Sequence, residues 1–192
     1  ADRGEGYCVF SDIACAINVV RRRHPAARKF LIVDLDVHQG NGNAVLFQGD
    51  PDVFTCSFHC EGNYFSKKEA SDLDVEVPVG AGDAEYLRLL QTYLPLLLGR
   101  TGQLPTPDLV FFQAGVDGNR SDRIGKLKLT RKGLRKRNQY VYDAALRAGV
   151  RVVATMGGGY PKTLEPDSPA FLEVVGAHED VYTEAAAAAR RL

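Results

Sequence analysis

The stretch "FLIVDLDVHQGNGNAV", residues 30–45, sets an unbroken apolar run directly against a crowd of polar side chains. Phe30 to Val33 reads as a strand buried on both faces, as the strands of a parallel sheet are. The run ends in Asp34-Leu35-Asp36-Val37-His38, and Gly40 and Gly42 follow at once. Residues two apart on an extended segment face the same side, so Asp36 and His38 can reach one point, and Asp34 starts the same row. A cap for the following helix with a solvated turn is one explanation. Half of a metal site is the other, and the rest of the chain decides between them.

Upstream, "SDIACAINVVRRRH" (11–24) predicts a helix that Ser11 or Asp12 can cap, with Ile13, Ala16, Ile17 and Val20 on one face. Downstream, residues 52–58 predict a second strand, and 59–72 lacks a period and reads as a loop. Residues 74–80 alternate like a strand near an edge, because Pro78 cannot donate to a ladder. Residues 83–99 predict a helix with Leu87, Leu90, Tyr93, Leu94 and Leu97 facing inward and a kink at Pro95. "DLVFFQAG" (108–115) and "VRVVATMGGGY" (150–160) supply two more strands. Between them, 130–149 reads as a helix whose basic run, 131–137, forms its solvated face. A last helix is expected over 179–192. Strands alternating with helices imply an α/β fold of three layers, α/β/α, on a mostly parallel sheet.

In such sheets the functional groups collect at the carboxyl ends of the strands. Three ends here are unusual. The first carries Asp34, Asp36 and His38. The second, "QAGVDGNRSDRIG" (113–125), offers Asp117 and Asp122. The third is "GGGY" (157–160). If these strands are neighbours, Asp36, His38 and one of the two later aspartates surround a common centre. Zinc accepts imidazole nitrogen and carboxylate oxygen, and a catalytic site keeps a position open for water. The donor set is harder than a thiolate site, so ferrous iron is an option too. The glycines allow close backbone approach, and Tyr160 would place a phenol donor where an oxyanion develops.

Composition narrows the classes further. The 192 residues suit one domain, and with 45% hydrophobic residues a sizeable core is available. Lys plus Arg, 24, equals Asp plus Glu, 24, so no global field favours nucleic acid or an anionic membrane as a partner. No apolar run approaches the ~20 residues that span a bilayer. Cys8, Cys15, Cys56 and Cys60 form no CxxC pair, which predicts free thiols and a cytoplasmic protein.

Together "DLDVHQGNG", "QAGVDGNRSDRIG" and "GGGY" resemble the three signature segments of the histone deacetylase superfamily, which shares the arginase-like fold. "GEGYCVFSDIA" (4–14) resembles the segment after that family's catalytic histidine pair. The resemblance covers roughly residues 3 to 165. The "HQGNG" form is similar to the class IV branch and its bacterial relatives, with Gln39 and Asn41 where most deacetylases carry His and Asp. The resemblance implies that Asp36, His38 and Asp122 are zinc ligands, with Asp117 structural. It implies that Tyr160 hydrogen-bonds the substrate carbonyl and the tetrahedral intermediate. Asp34 and Asn41 match the orienters of the histidine pair; an amide at 41 would leave its histidine less basic. Gly6, Tyr7 and Gly158 match the acyl-lysine tunnel, and Tyr64 its opposite wall. A monovalent cation, K+ or Na+, is implied beside Asp34, Asp36, His38, Ser57 and Phe58, and a second beside Phe47, Asp50 and Val53.

The histidine pair itself should stand just upstream of "DRGEGYC". Residues 1–192 are therefore expected to be a deacetylase catalytic domain that lacks its N-terminal segment, the general base and the first strands of the sheet, leaving an edge to be covered. The implied reaction is zinc-dependent hydrolysis of an acylated lysine or related amine. Two alternatives stand beside it. "LIVDLDVH" also resembles the opening of haloacid-dehalogenase-like magnesium phosphohydrolases, with Asp34 as nucleophile. A catalytically degenerate deacetylase-like binding module is the other.

Overall fold

The computed structural model describes residues 4–64 and 67–191. In chain order its elements are α1 (Asp12–Arg23), β1 (Phe30–Asp34), α2 (Asn41–Leu46), β2 (Val53–Cys60), β3 (Leu73–Val77), α3 (Asp83–Leu97), β4 (Leu109–Gln113), α4 (Arg131–Ala148), β5 (Arg151–Thr155) and α5 (Pro169–Ala189). The strands form one sheet in the order β3-β2-β1-β4-β5, and every pairing is parallel.

The central strand shows why the apolar run is unbroken. All five residues of β1 are buried. Leu31 and Val33 join the larger core, packed beneath α3, α4 and α5 with Phe58, Leu90, Leu94, Phe112 and Val141. Phe30 and Ile32 face the other way, into a smaller core with Ile13 and Ile17 of α1. Alternate side chains thus serve helices on opposite faces, which gives the α/β/α layering. At roughly 1.5–3 kcal/mol for each fully buried aliphatic or aromatic side chain, both layers are held mainly by this burial.

Local signals set the helix ends. Ser11 caps α1, its hydroxyl accepting from Ala14 N. Thr130 caps α4 in the same way through Gly133 N, and Gly149 closes that helix in the left-handed region at φ 69°.

Several expectations need adjustment. Short helix α2 follows the polar strand end at once, in a stretch with no apolar period of its own. Strand β2 runs on to Cys60. Helix α5 begins ten residues earlier than 179, at Pro169, behind a Ser168 cap. In α3, Tyr86 is buried while Leu87 and Tyr93 are only partly so. The basic run of α4 is solvated only in part: Lys132, Arg135 and Lys136 are exposed, Arg131 pairs with Asp180 and Arg135 with Glu184, both on α5, and Arg137 is 1% exposed. β3 and β5 are the sheet edges, and Val153 of β5 is exposed. The four cysteines are free thiols, as expected. Among the described residues no helix is long and apolar enough to cross a membrane.

Candidate metal centre

The three polar strand ends are brought together by strand order. β1, β4 and β5 are adjacent, with Asp34, Gln113 and Thr155 level across the ladder. Each chain leaves its strand at the same height and on the same edge of the sheet. Hydrogen bonds then tie the three exits together: Leu35 N donates to Gln113 O, Ala114 N to Thr155 O and Val116 N to Gly158 O.

Asp36, His38 and Asp117 converge there. One ligand atom from each lies within 4.8 Å of the others. His38 Nδ1 is 3.0 Å from Asp36 Oδ1 and 3.0 Å from Asp117 Oδ2. Two backbone N–H groups hold the carboxylates from behind. Gly158 N donates to Asp36 Oδ2 at 2.7 Å, and Val37 N donates to Asp117 Oδ1 at 2.8 Å.

Of the two later aspartates, Asp117 is the one whose carboxylate lies within this group, whereas the family resemblance implied Asp122. The Asp122 carboxylate accepts from three backbone donors, Ile124 N, Gly125 N and Tyr160 N. It braces the loop and the tyrosine, while Asp117 is fully buried beside His38. The ladder explains this. His38 and Asp117 each stand four residues beyond the paired positions Asp34 and Gln113, so they arrive level, whereas Asp122 comes after a further turn.

Glycines make the room. A Cβ at Gly158 would meet Asp117 Oδ2 at 2.0 Å, one at Gly115 would meet Asp36 Oδ2 at 2.2 Å, and one at Gly40 would meet Asp34 Oδ2 at 2.4 Å. Charge is crowded as tightly as volume. Burial and the Asp36 carboxylate push Asp34 well above the usual carboxylate range. Burial and Asp36 likewise push Asp117 up to about 8. Burial works against Asp36 too, but hydrogen bonds from His38 and Asp117 outweigh it and hold that carboxyl low. Burial opposes a charged imidazole, yet the hydrogen bonds to Asp117 and Asp36 win and carry His38 up to about 10. Without a cation the cluster retains protons to balance its carboxylates. Two carboxylates and one imidazole, converging within a glycine-lined cradle, fit a divalent ion, which would take over that balancing charge.

Tyr160 stands over this group, its ring edge-on to His38 at 6.2 Å between centroids. Burial, then Asp36 and Asp117, raise its phenol above the ordinary value, so it stays a hydrogen-bond donor. Tyr7 lies 5.9 Å from Tyr160, ring to ring, and is largely exposed. Glu5 and Cys8 exchange both backbone hydrogen bonds around Gly6 and Tyr7. Both central residues have positive φ, and Tyr7 is the one non-glycine among the described residues to do so, at 64°, a conformation that costs of order 1–3 kcal/mol. Tyr64 is exposed on the loop after β2, and Phe65 beside it lies outside the described residues. Its neighbour Asn63 ties this loop to Ile124 and Lys126.

The remaining candidates are placed as follows. Asp34 Oδ1 accepts from Asp36 N. Asn41 donates to Glu5 Oε2. Ser57 lies opposite Asp34 in the ladder, accepts from Gly40 N and lies 3.0 Å from His59 Nδ1, and Phe58 is fully buried. Phe47 O accepts from Asp50 N, and Asp50 O from Val53 N, while the Asp50 carboxylate pairs with Arg21. Of the other histidines, His24 is exposed and His59 fully buried, and His178 is half-buried behind Gly159. Sequence reasoning overlooked Arg137, which donates to carbonyls at both ligand-bearing strand ends. A charged residue on the inward face of a helix was the available signal.

A protein of Picosynechococcus sp. is 47% identical over 161 residues, covering 84% of this chain and 52% of its own length. Histone deacetylase 2 of Arabidopsis thaliana is 33% identical over 166 residues, covering 85% of this chain and 42% of its own length. The chain therefore spans about half the length of the curated relatives it matches. The crystal structure of the HDA15 HD domain superposes with a TM-score of 0.71 at 26% identity, over 94% of this chain and 50% of that one. The family model described as the histone deacetylase domain matches residues 1–172. The chain belongs to the histone deacetylase domain family.

Proposed function

We propose that the protein is a metal-dependent amidohydrolase that removes an acyl group from an acylated amine, with acyl-lysine as the substrate class. The observation that carries this is the meeting of Asp36, His38 and Asp117 beneath the Tyr160 ring. These three residues would hold the ion, zinc on the chemistry of the donors, with Asp117 in the place first expected for Asp122. When bound, such an ion polarises an amide carbonyl and lowers the pKa of its water from 15.7 toward about 7. Tyr160 donates its phenol hydrogen bond to the substrate oxygen as that oxygen becomes negative. Asp122, through Tyr160 N, fixes the backbone that aims the phenol. Tyr7 and Tyr160 form the aromatic entrance for the acyl-amine stem. Proton transfer to the leaving amine is the work of a histidine in this reading.

The family match speaks against the phosphohydrolase alternative. Asp34, its would-be nucleophile, is buried and accepts from the Asp36 backbone.

The test combines metal analysis with hydrolysis of a panel of acetyl- and long-chain acyl-lysine peptides. Asp117→Ala should lose the metal and Asp122→Ala should keep it; the reverse pattern would return the third ligand to Asp122. Tyr160→Phe should lower kcat about 10²–10³-fold with KM little changed. A metal-loaded protein inert toward every peptide would favour the binding-module reading.

A further inference from the structure

Arg137 lies in the second turn of α4, on the inward face, 1% exposed. A buried guanidinium is costly unless all its hydrogen-bonding capacity is used. Here it is. A guanidinium has five N–H donors in a planar fork. Nη1 donates to Leu35 O at 3.1 Å and to Gly115 O at 2.6 Å. Nη2 donates to Ala114 O at 3.3 Å and to Asn138 Oδ1 at 2.9 Å, and Nε donates to Asn138 Oδ1 at 3.1 Å. The Phe112 ring supports the guanidinium, 5.6 Å from its centroid.

The identity of those carbonyls matters more than their number. β1 ends at Asp34 and β4 at Gln113, so Leu35, Ala114 and Gly115 are the residues where the ladder has just stopped. Leu35 is one peptide from Asp36, and Gly115 is two residues before Asp117. One planar group therefore bonds the exits of two neighbouring strands, each carrying a carboxylate of the candidate metal centre.

We propose that Arg137 is a positioning residue for the metal centre: its guanidinium sets the separation of the two strand ends and so the span between Asp36 and the aspartate that the segment after β4 contributes. The inference rests on the reading of those residues as metal ligands. It specifies an arginine. A lysine would keep the positive charge but offers three donors at one point, and could not bridge Leu35 O and Gly115 O while also reaching Ala114 O and Asn138.

The experiment titrates Co2+ into the chelator-treated protein, following the visible ligand-field bands, for wild type, Arg137→Lys and Arg137→Met, with thermal unfolding of each recorded alongside. Both variants should unfold cooperatively yet bind Co2+ about 10–100-fold more weakly, with altered bands. Wild-type affinity and bands in folded Arg137→Met would overturn the proposal. So would full rescue by Arg137→Lys, since charge alone would then suffice. Failure of both variants to fold even with excess Co2+ would make Arg137 a folding residue only and overturn it equally. A wild-type protein that takes up no Co2+ overturns the metal reading itself, and that control separates the two failures.

Discussion

A methyl group at Gly158 would stand 2.0 Å from Asp117 Oδ2 and 2.9 Å from Asp36 Oδ2, while the Gly158 N–H already donates to Asp36. The position thus needs a residue with no side chain and a fixed amide. Gly158→Ala should lower divalent-metal affinity at least tenfold, read by competition with a metallochromic chelator; an unchanged affinity would mean that the turn moves aside at no cost. Much at this scale was legible. Asp36 and His38 are two residues apart at the end of an obvious strand, and the period of a strand puts them on one side. The choice between Asp117 and Asp122 was not, because both follow the same strand. The ladder, whose register levels Asp34 with Gln113, is what favours Asp117 in the proposal, and metal retention by Asp117→Ala and Asp122→Ala is the test. Arg137 was hidden for a related reason: in a run of basic residues, burial of one depends on what the opposite layer offers.

At the scale of elements, the ends of α3 and α4 lock into one another. Thr130 N and Oγ1 both donate to the Asp83 carboxylate at the start of α3, at 2.8 and 2.7 Å. The same Oγ1 accepts from Gly133 N at 2.9 Å. Thr130→Val keeps the shape but removes both the cap and one bond to Asp83, and should cost about 1–2 kcal/mol in denaturant unfolding, with the m-value unchanged. Gly133→Ala should be no milder despite its gain in helix propensity, since its Cβ would lie 2.0 Å from Asp83 Oδ1. The five strands and the long helices α1, α3 and α4 were readable from their apolar periodicity, with a side-chain cap besides at α1 and α4. Short α2 was not, since six residues that include two asparagines and a glycine hold little intrinsic helix preference. The early start of α5 had a signal that went unused: Ser168 followed by Pro169 is the pairing of an N-cap with a proline at the first helical position.

For the whole molecule, a formal net charge of zero conceals a concentrated imbalance, because Asp34, Asp36 and Asp117 are buried together. This gives the metal-free protein a pH dependence whose sign can be worked out. Asp117 titrates near 3.9 when unfolded and is pushed up to about 8 in the fold. His38 moves from about 6.5 up to about 10. Both groups therefore hold more proton in the folded than in the unfolded state, Asp117 between about pH 4 and 8 and His38 between about pH 6.5 and 10. Stability falls with rising pH wherever the native state binds the extra proton, so the loss should be steepest between about pH 6.5 and 8, where the two windows overlap. A divalent ion takes over the charge of those protons and binds better as they leave. The melting temperature of the chelated protein should thus fall from pH 6.5 to 10, and saturating Zn2+ or Co2+ should raise it most at the alkaline end. A metal-induced increase that is the same at pH 6 and pH 9 would mean that the ion binds somewhere other than among these carboxylates.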